Sequence, residues 1–194
     1  MKTDIVGLTG HRPNNFSASQ RDYLKEELAR IIDKLEPEIA ISGLALGSDT
    51  WWAEQALLKG VDLHVYVPCI DQPSKWHDED KMRWETMLTS AEKVFLAGFY
   101  PATLEAIDGH PQTRIQVMKR EYADHTYNVK AMMNRNKAMI DNSDIMIVVW
   151  NQDEKKRGGG TKQAWDHIKK KNKPHVVIDF TTKKPKTTIV REKE

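Results

Sequence analysis

Cysteine is nearly absent: Cys69 is the only one in 194 residues. A disulfide framework and a cysteine-based zinc site are both excluded within one chain, and the expected compartment is a reducing cytoplasm. Long apolar runs are absent too. No stretch approaches the roughly 18 apolar residues of a membrane-spanning helix, so no membrane partner is expected. The opening MKTDIVGLTGH lacks the apolar core and cleavage site of a signal peptide. Excess charge of either sign is lacking: 30 Lys and Arg stand against 28 Asp and Glu, a formal net charge of +2. That balance argues against a protein that must coat nucleic acid. The standard nucleotide fingerprints are lacking as well. GLTGHR at 7–12 is not G-x-G-x-x-G, and no G-x-x-x-x-G-K-[ST] occurs. The seven histidines are scattered and none forms H-E-x-x-H, so neither a metal nor a cofactor is expected.

What is present is a globular mixture, 39% hydrophobic and 30% charged, long enough for one domain with a sizeable core. Apolar strand-like runs alternate with helical periodicity. Strands are expected at 5–8, 39–41, 61–67, about 94–96, 145–150 and 174–180. Helices are expected at 20–34, where Leu24, Leu28, Ile31 and Ile32 share a face, at 50–58, up to about 91, over about 112–140 whether continuous or broken, and from 158–161 to about 171. Residues 98–112 read as a long loop. Continuous apolar strands between helices predict a parallel sheet covered on both faces. The expected fold is α/β: a single Rossmann-like domain over 1–180, with a mostly parallel sheet of five to seven strands and helices on both faces. A basic tail or short edge element follows at 181–194, and residues 169–194 hold nine Lys or Arg against three acids.

Three glycine-bearing turns follow strand ends: Gly7–Pro13, Ser42–Asp49 and Gly158–Thr161. Ligands of open α/β sheets bind at that edge. Glycine admits a ligand close to the backbone, and a following helix N-terminus favours an anion. The candidate phosphate contacts are Gly10, His11, Arg12, Ser42, Gly43, Gly47, Ser48, Gly158, Gly159, Gly160 and Thr161. Trp52 and Trp76 are candidate base contacts. Cleavage of an N-glycosidic bond builds positive charge on the sugar, which a carboxylate stabilises. Asp49 and Glu54 are the candidates, although about 140° apart on a helix at ~100° per residue. Asp49 alternatively caps its helix, and Glu54 alternatively pairs with an arginine such as Arg12.

The segments LTGHRP (8–13), ISGLALGSDTWWAE (41–54), VPC (67–69), RNKAMIDNSDIMIVVW (135–150) and GGGT (158–161) together resemble the SLOG superfamily, and within it the YpsA-like branch of bacterial and phage proteins. The Ser-Gly-x-Ala-x-Gly-x-Asp run is also similar to that of the DNA-processing protein DprA. The last two segments are similar to the lonely-guy phosphoribohydrolases. The resemblance implies a Rossmann-like fold and a nucleotide or nucleotide-derived ligand. Three activities follow from it: N-glycosidic hydrolysis of a nucleoside 5′-monophosphate, non-enzymatic sensing or sequestration of a nucleotide signal, and binding of single-stranded DNA. Whether the chain is an enzyme stays open. The hydrolases carry a substrate-contacting arginine whose place is taken by Arg135, which joins Asp49 and Glu54 as a catalytic candidate. Their catalytic glutamate falls three residues past the threonine, where this chain has Ala164. The lonely-guy relatives are dimeric. With the apolar Ile115, Val117, Met118, Met132, Met133 and Met139, that implies a homodimer or higher homo-oligomer, although the same apolar surplus also fits the core of a monomer.

Overall fold

A computed structural model describes residues 4–107, 109–150, 159–180 and 186–190. The first strand, β1 (Ile5–Gly10), leads through one tight 3-10 turn into α1 (Ala18–Leu35). Ser17 starts that helix with a reciprocal cap. Its hydroxyl accepts from the Gln20 N–H at 3.3 Å, and the Gln20 side chain accepts from the Ser17 N–H at 2.9 Å. Leu24, Leu28, Ile31 and Ile32 form the buried stripe that the sequence period predicts.

The chain continues through β2 (Ile39–Ser42), α2 (Ser48–Leu58), β3 (Asp62–Val67), α3 (Asp78–Ser90), β4 (Lys93–Leu96) and β5 (Glu105–Ala106). Then follow α4 (Arg114–Glu121), α5 (Val129–Asp141), β6 (Ile145–Val149), α6 (Gly160–Lys170), β7 (His175–Asp179) and β8 (Lys186–Val190). The helical stretch near 112–140 is therefore broken. Asn128 restarts it as the cap of α5, accepting from the Ala131 N–H at 2.7 Å.

The strands form one sheet in the order β5-β4-β3-β2-β1-β6-β7-β8. The six inner strands run parallel, and β5 and β8 pair antiparallel at the two edges. This is the mostly parallel α/β architecture expected, with eight strands among the described residues rather than five to seven. The edge strand β5 escaped the sequence reading, and β8 falls in the stretch expected as a basic tail or short edge element. An edge strand pairs on one side only, so it needs no long apolar run. β5 is two exposed residues inside the stretch read as a loop, and β8 is KTTIV within the basic end.

Strand alternation divides the core. Val6, Leu8, Ala40, Val65, Ile147 and Val149 face α1 to α4, where Leu24, Trp52, Trp84, Leu88 and Met118 cover them. Met146, Val148 and Trp150 face the other way, onto Ile140 of α5 and Ala164 and Ile168 of α6. Met118 and Met139 are buried, Ile115 and Val117 pack against the core, and the homo-oligomer expectation loses that much of its sequence basis. From β1 the chain moves one way through β2, β3 and β4, then returns to the far side of β1 for β6 and β7. Strand order reverses between β1 and β6, and the carboxyl ends of those two strands are where such a sheet opens a crevice.

Candidate functional site

A crevice of about 460 Å³ lies at that reversal point. Its walls are Thr9 to Arg12 at the end of β1, Ala45 and Asp49 around the start of α2, and Trp150 at the end of β6. Val129, Met132, Met133, Arg135 and Asn136 of α5, with Tyr127 just before it, form one side. Gly159 to Gln163, at the N-terminus of α6, form the other.

At its base sits a buried ion pair. Arg135 is 3% exposed and Asp49 is 5% exposed, and Arg135 Nη1 lies 3.5 Å from Asp49 Oδ2. Gly43 makes room for the guanidinium: a Cβ there would fall 1.3 Å from Arg135 Nη1. Burial pushes the Asp49 carboxyl above its ordinary range, while Arg135, Arg12 and the backbone N–H groups of Ala45 and Gly10 pull it back. Burial likewise lowers the Arg135 pKa, and Asp49 opposes that. Arg135 Nε is buried with no hydrogen-bond partner among the described residues. Arg12 is exposed on the crevice wall.

The turn before α2 is a brace. Gly47 has φ of +99°, and a Cβ on it would meet the His11 carbonyl oxygen at 2.8 Å. The Ser48 N–H and hydroxyl both donate to that carbonyl, at 3.2 and 3.0 Å. The Ser42 hydroxyl donates to the Asp49 carbonyl at 2.8 Å and accepts from the Leu44 N–H at 3.1 Å. By contrast the start of α6 is open. Gly159 and Gly160 are exposed, and the Thr161 hydroxyl donates to the Gly10 carbonyl at 3.1 Å, tying the helix start to β1. The first N–H groups of a helix have no intrahelical partner and favour an anion. Among the described residues, no group of three or more His, Cys, Asp or Glu is placed to hold a metal. No described helix is long and apolar enough to cross a membrane.

No family model matches the chain. A UPF0398 protein of Bacillus pumilus (strain SAFR-032) is 29% identical over 104 residues, taking in 46% of this chain and 55% of that protein. The match thus spans little more than half of the curated relative. DNA processing protein A from Helicobacter pylori superposes with a TM-score of 0.58 at 18% identity, covering 95% of this chain and 69% of that one. DprA from Streptococcus pneumoniae gives 0.57 at 15% identity, over 92% and 51%. Over its 104 matched residues the chain is similar to the UPF0398 protein, and it shares its α/β fold with the two DprA structures.

Of the residues singled out in the sequence, the crevice gathers Gly10, His11, Arg12, Asp49, Arg135, Gly159, Gly160 and Thr161. Gly158 lies outside the described residues. Ser42, Gly43, Gly47 and Ser48 are buried, and they hold the turn and Arg135 rather than line the crevice. Glu54 is not on its wall either; it pairs with Arg83 of α3, not with Arg12. Trp52 is 0% exposed in the core, which removes it as a base contact. Trp76 packs against the same core outside the crevice. Ala164, where the hydrolases carry their glutamate, is buried among Ile140, Met146 and Ile168. The residues that the sequence reading missed are Tyr127, Asn136, Lys162 and Gln163, and it assigned Met132 and Met133 to an oligomer surface or core. For the α5 residues the signal was legible: Val129, Met132, Met133 and Asn136 stand at i, i+3, i+4 and i+7, one helical face.

Proposed function

We propose that this protein binds a nucleotide or nucleotide-derived small molecule in the crevice, its phosphate seated between the start of α6, Arg12 and Arg135. The observation that carries the reading is Arg135 itself, a buried guanidinium on the crevice wall with an unpartnered Nε. A buried cation with spare donors, beside an open helix N-terminus, suits an anion with several acceptor oxygens. Binding is favoured over N-glycosidic hydrolysis. Asp49 is the one carboxylate of the described residues on the wall, and it is engaged by Arg135. Glu54 is turned to Arg83, and Ala164 supplies no carboxylate.

The test is mass spectrometry after incubating the protein with a panel of nucleoside 5′-monophosphates, together with the bound fraction from rapid filtration. Retained, unaltered nucleotide is the expected result. Release of base and ribose 5-phosphate would make the protein a hydrolase; no retention and no turnover would reject the monophosphate reading. A second reading is single-stranded nucleic acid, in keeping with the shared fold of the Helicobacter pylori protein, whose structure concerns single-stranded DNA binding. Exposed Tyr127, in a crevice that Arg12 and Lys162 also line, favours it. It requires oligonucleotide affinity that falls steeply with salt, and absence of binding at low salt would remove it.

A further inference from the structure

The crevice is chemically divided. One part is charged: Asp49 and Arg135 buried at the crevice base, with exposed Arg12 and the start of α6 on its walls. The other part is apolar and open. Tyr127 is 55% exposed and Val129 64% exposed, and half-buried Met132 and Met133 continue the same α5 face. Exposed apolar side chains that line a crevice offer surface to an apolar part of a ligand. Two amides stand where this α5 face meets the start of α6. Asn136 donates through Nδ2 to the Gly160 carbonyl only over 3.4 Å, and Gln163 stands across from it on α6. A tyrosine face and thioethers next to paired amide donors and acceptors suit a flat heteroaromatic ring with a hydrogen-bonding edge.

We infer that this apolar part of the crevice is a nucleobase subsite, with the Tyr127 ring as its stacking face and Asn136 as a reader of the base edge. The inference rests on the nucleotide reading above and adds which part of the ligand each half of the crevice takes. Its position also fits the order of a nucleotide, with an anion at one end and a flat ring at the other. The two tryptophans that the sequence offered for this role lie elsewhere, Trp52 in the core and Trp76 outside the crevice.

The experiment is calorimetric titration of the parent protein, Tyr127→Ala, Tyr127→Phe and Asn136→Ala with AMP, GMP and ribose 5-phosphate. The parent is expected to bind AMP more tightly than ribose 5-phosphate. Tyr127→Ala should weaken AMP by roughly tenfold, the scale of one lost base–aromatic stack, and leave ribose 5-phosphate unchanged. Tyr127→Phe should retain AMP affinity, because the ring face survives. Asn136→Ala should narrow the AMP-to-GMP affinity ratio; an unchanged ratio removes Asn136 from the subsite. If Tyr127→Ala binds AMP as the parent does, or loses ribose 5-phosphate equally, the stacking role is overturned. Equal parent affinity for AMP and ribose 5-phosphate overturns the subsite alone and leaves the anion seat standing. Binding of neither overturns both.

Discussion

The Arg135–Asp49 pair joins two residues 86 positions apart in the chain, and each is costly without the other. A lone buried charge costs several kcal/mol, whereas removing both charges together is often close to neutral. Asp49→Ala is therefore expected to lose about 3–5 kcal/mol of stability, because Arg135 stays packed over Gly43 with no counter-charge. Adding Arg135→Met should recover a large part of that loss. Urea unfolding midpoints of the two single variants and the double variant measure the coupling. A double variant as unstable as the two single losses added together would show that the pair is not coupled. Asp49 and Arg135 were both legible in the sequence, from a strand-end turn and from a family-like segment. Their contact was not, since no spacing rule relates residues on α2 and α5. Glu54 failed as a candidate because a helix position fixes a direction but not the partner waiting there, and Arg83 on α3 was waiting.

At the scale of elements, Asp141 pins the last turn of α5 to its neighbours. The Tyr100 hydroxyl, in the connection after β4, donates to Asp141 Oδ2 at 2.9 Å. His167 Nε2 lies 3.0 Å, and Lys171 Nζ 3.5 Å, from Oδ1, both from the end of α6. Burial pushes the Asp141 carboxyl up, but hydrogen bonds from His167 and Tyr100 and the nearby charges outweigh it and hold the pKa below 3.8. Burial and the same hydrogen bond push the Tyr100 phenol up to about 12. A carboxyl with a depressed folded-state pKa stabilises the fold fully above its unfolded value, and that stability drains as pH falls through the folded one. The parent should therefore lose stability below pH 3.8, and Asp141→Asn should lose less over the same interval while starting lower at neutral pH. Urea midpoints across that range decide it; parallel slopes for the two proteins would dismiss the clamp as a source of acid sensitivity. The elements of the fold differ in how far they could be read beforehand. α1 was legible because its period and cap agree with its buried stripe, and β3 and β6 because their apolar runs are largely buried. The strand β5 was not, and the break between α4 and α5 and the edge strand β8 stood each as one of two alternatives, because polar or mixed sequence takes its conformation there from tertiary pairing.

At the scale of the molecule, the crevice is assembled from positions as far apart as Thr9 and Gln163, on β1, α2, α5, β6 and α6. None of those walls exists in the unfolded chain, so a ligand held there binds the folded state alone and stabilises all of it. At a hundred times its dissociation constant such a ligand contributes about 2.7 kcal/mol. For a chain of this size, about 2–4 °C of melting temperature per kcal/mol then gives a rise of roughly 5–11 °C. AMP is expected to produce such a shift in the parent, growing with the logarithm of its concentration. Arg12→Ala discriminates a seated phosphate from general stabilisation by salt. Arg12 is exposed, so its loss should move the ligand-free melting temperature little, while removing a charge that the phosphate needs. The AMP-dependent rise should shrink in that variant, and sodium chloride at matched ionic strength should reproduce neither effect. An Arg12→Ala protein that keeps the whole AMP shift would take the phosphate away from the end of β1, and with it the argument that strand reversal between β1 and β6 builds the binding site.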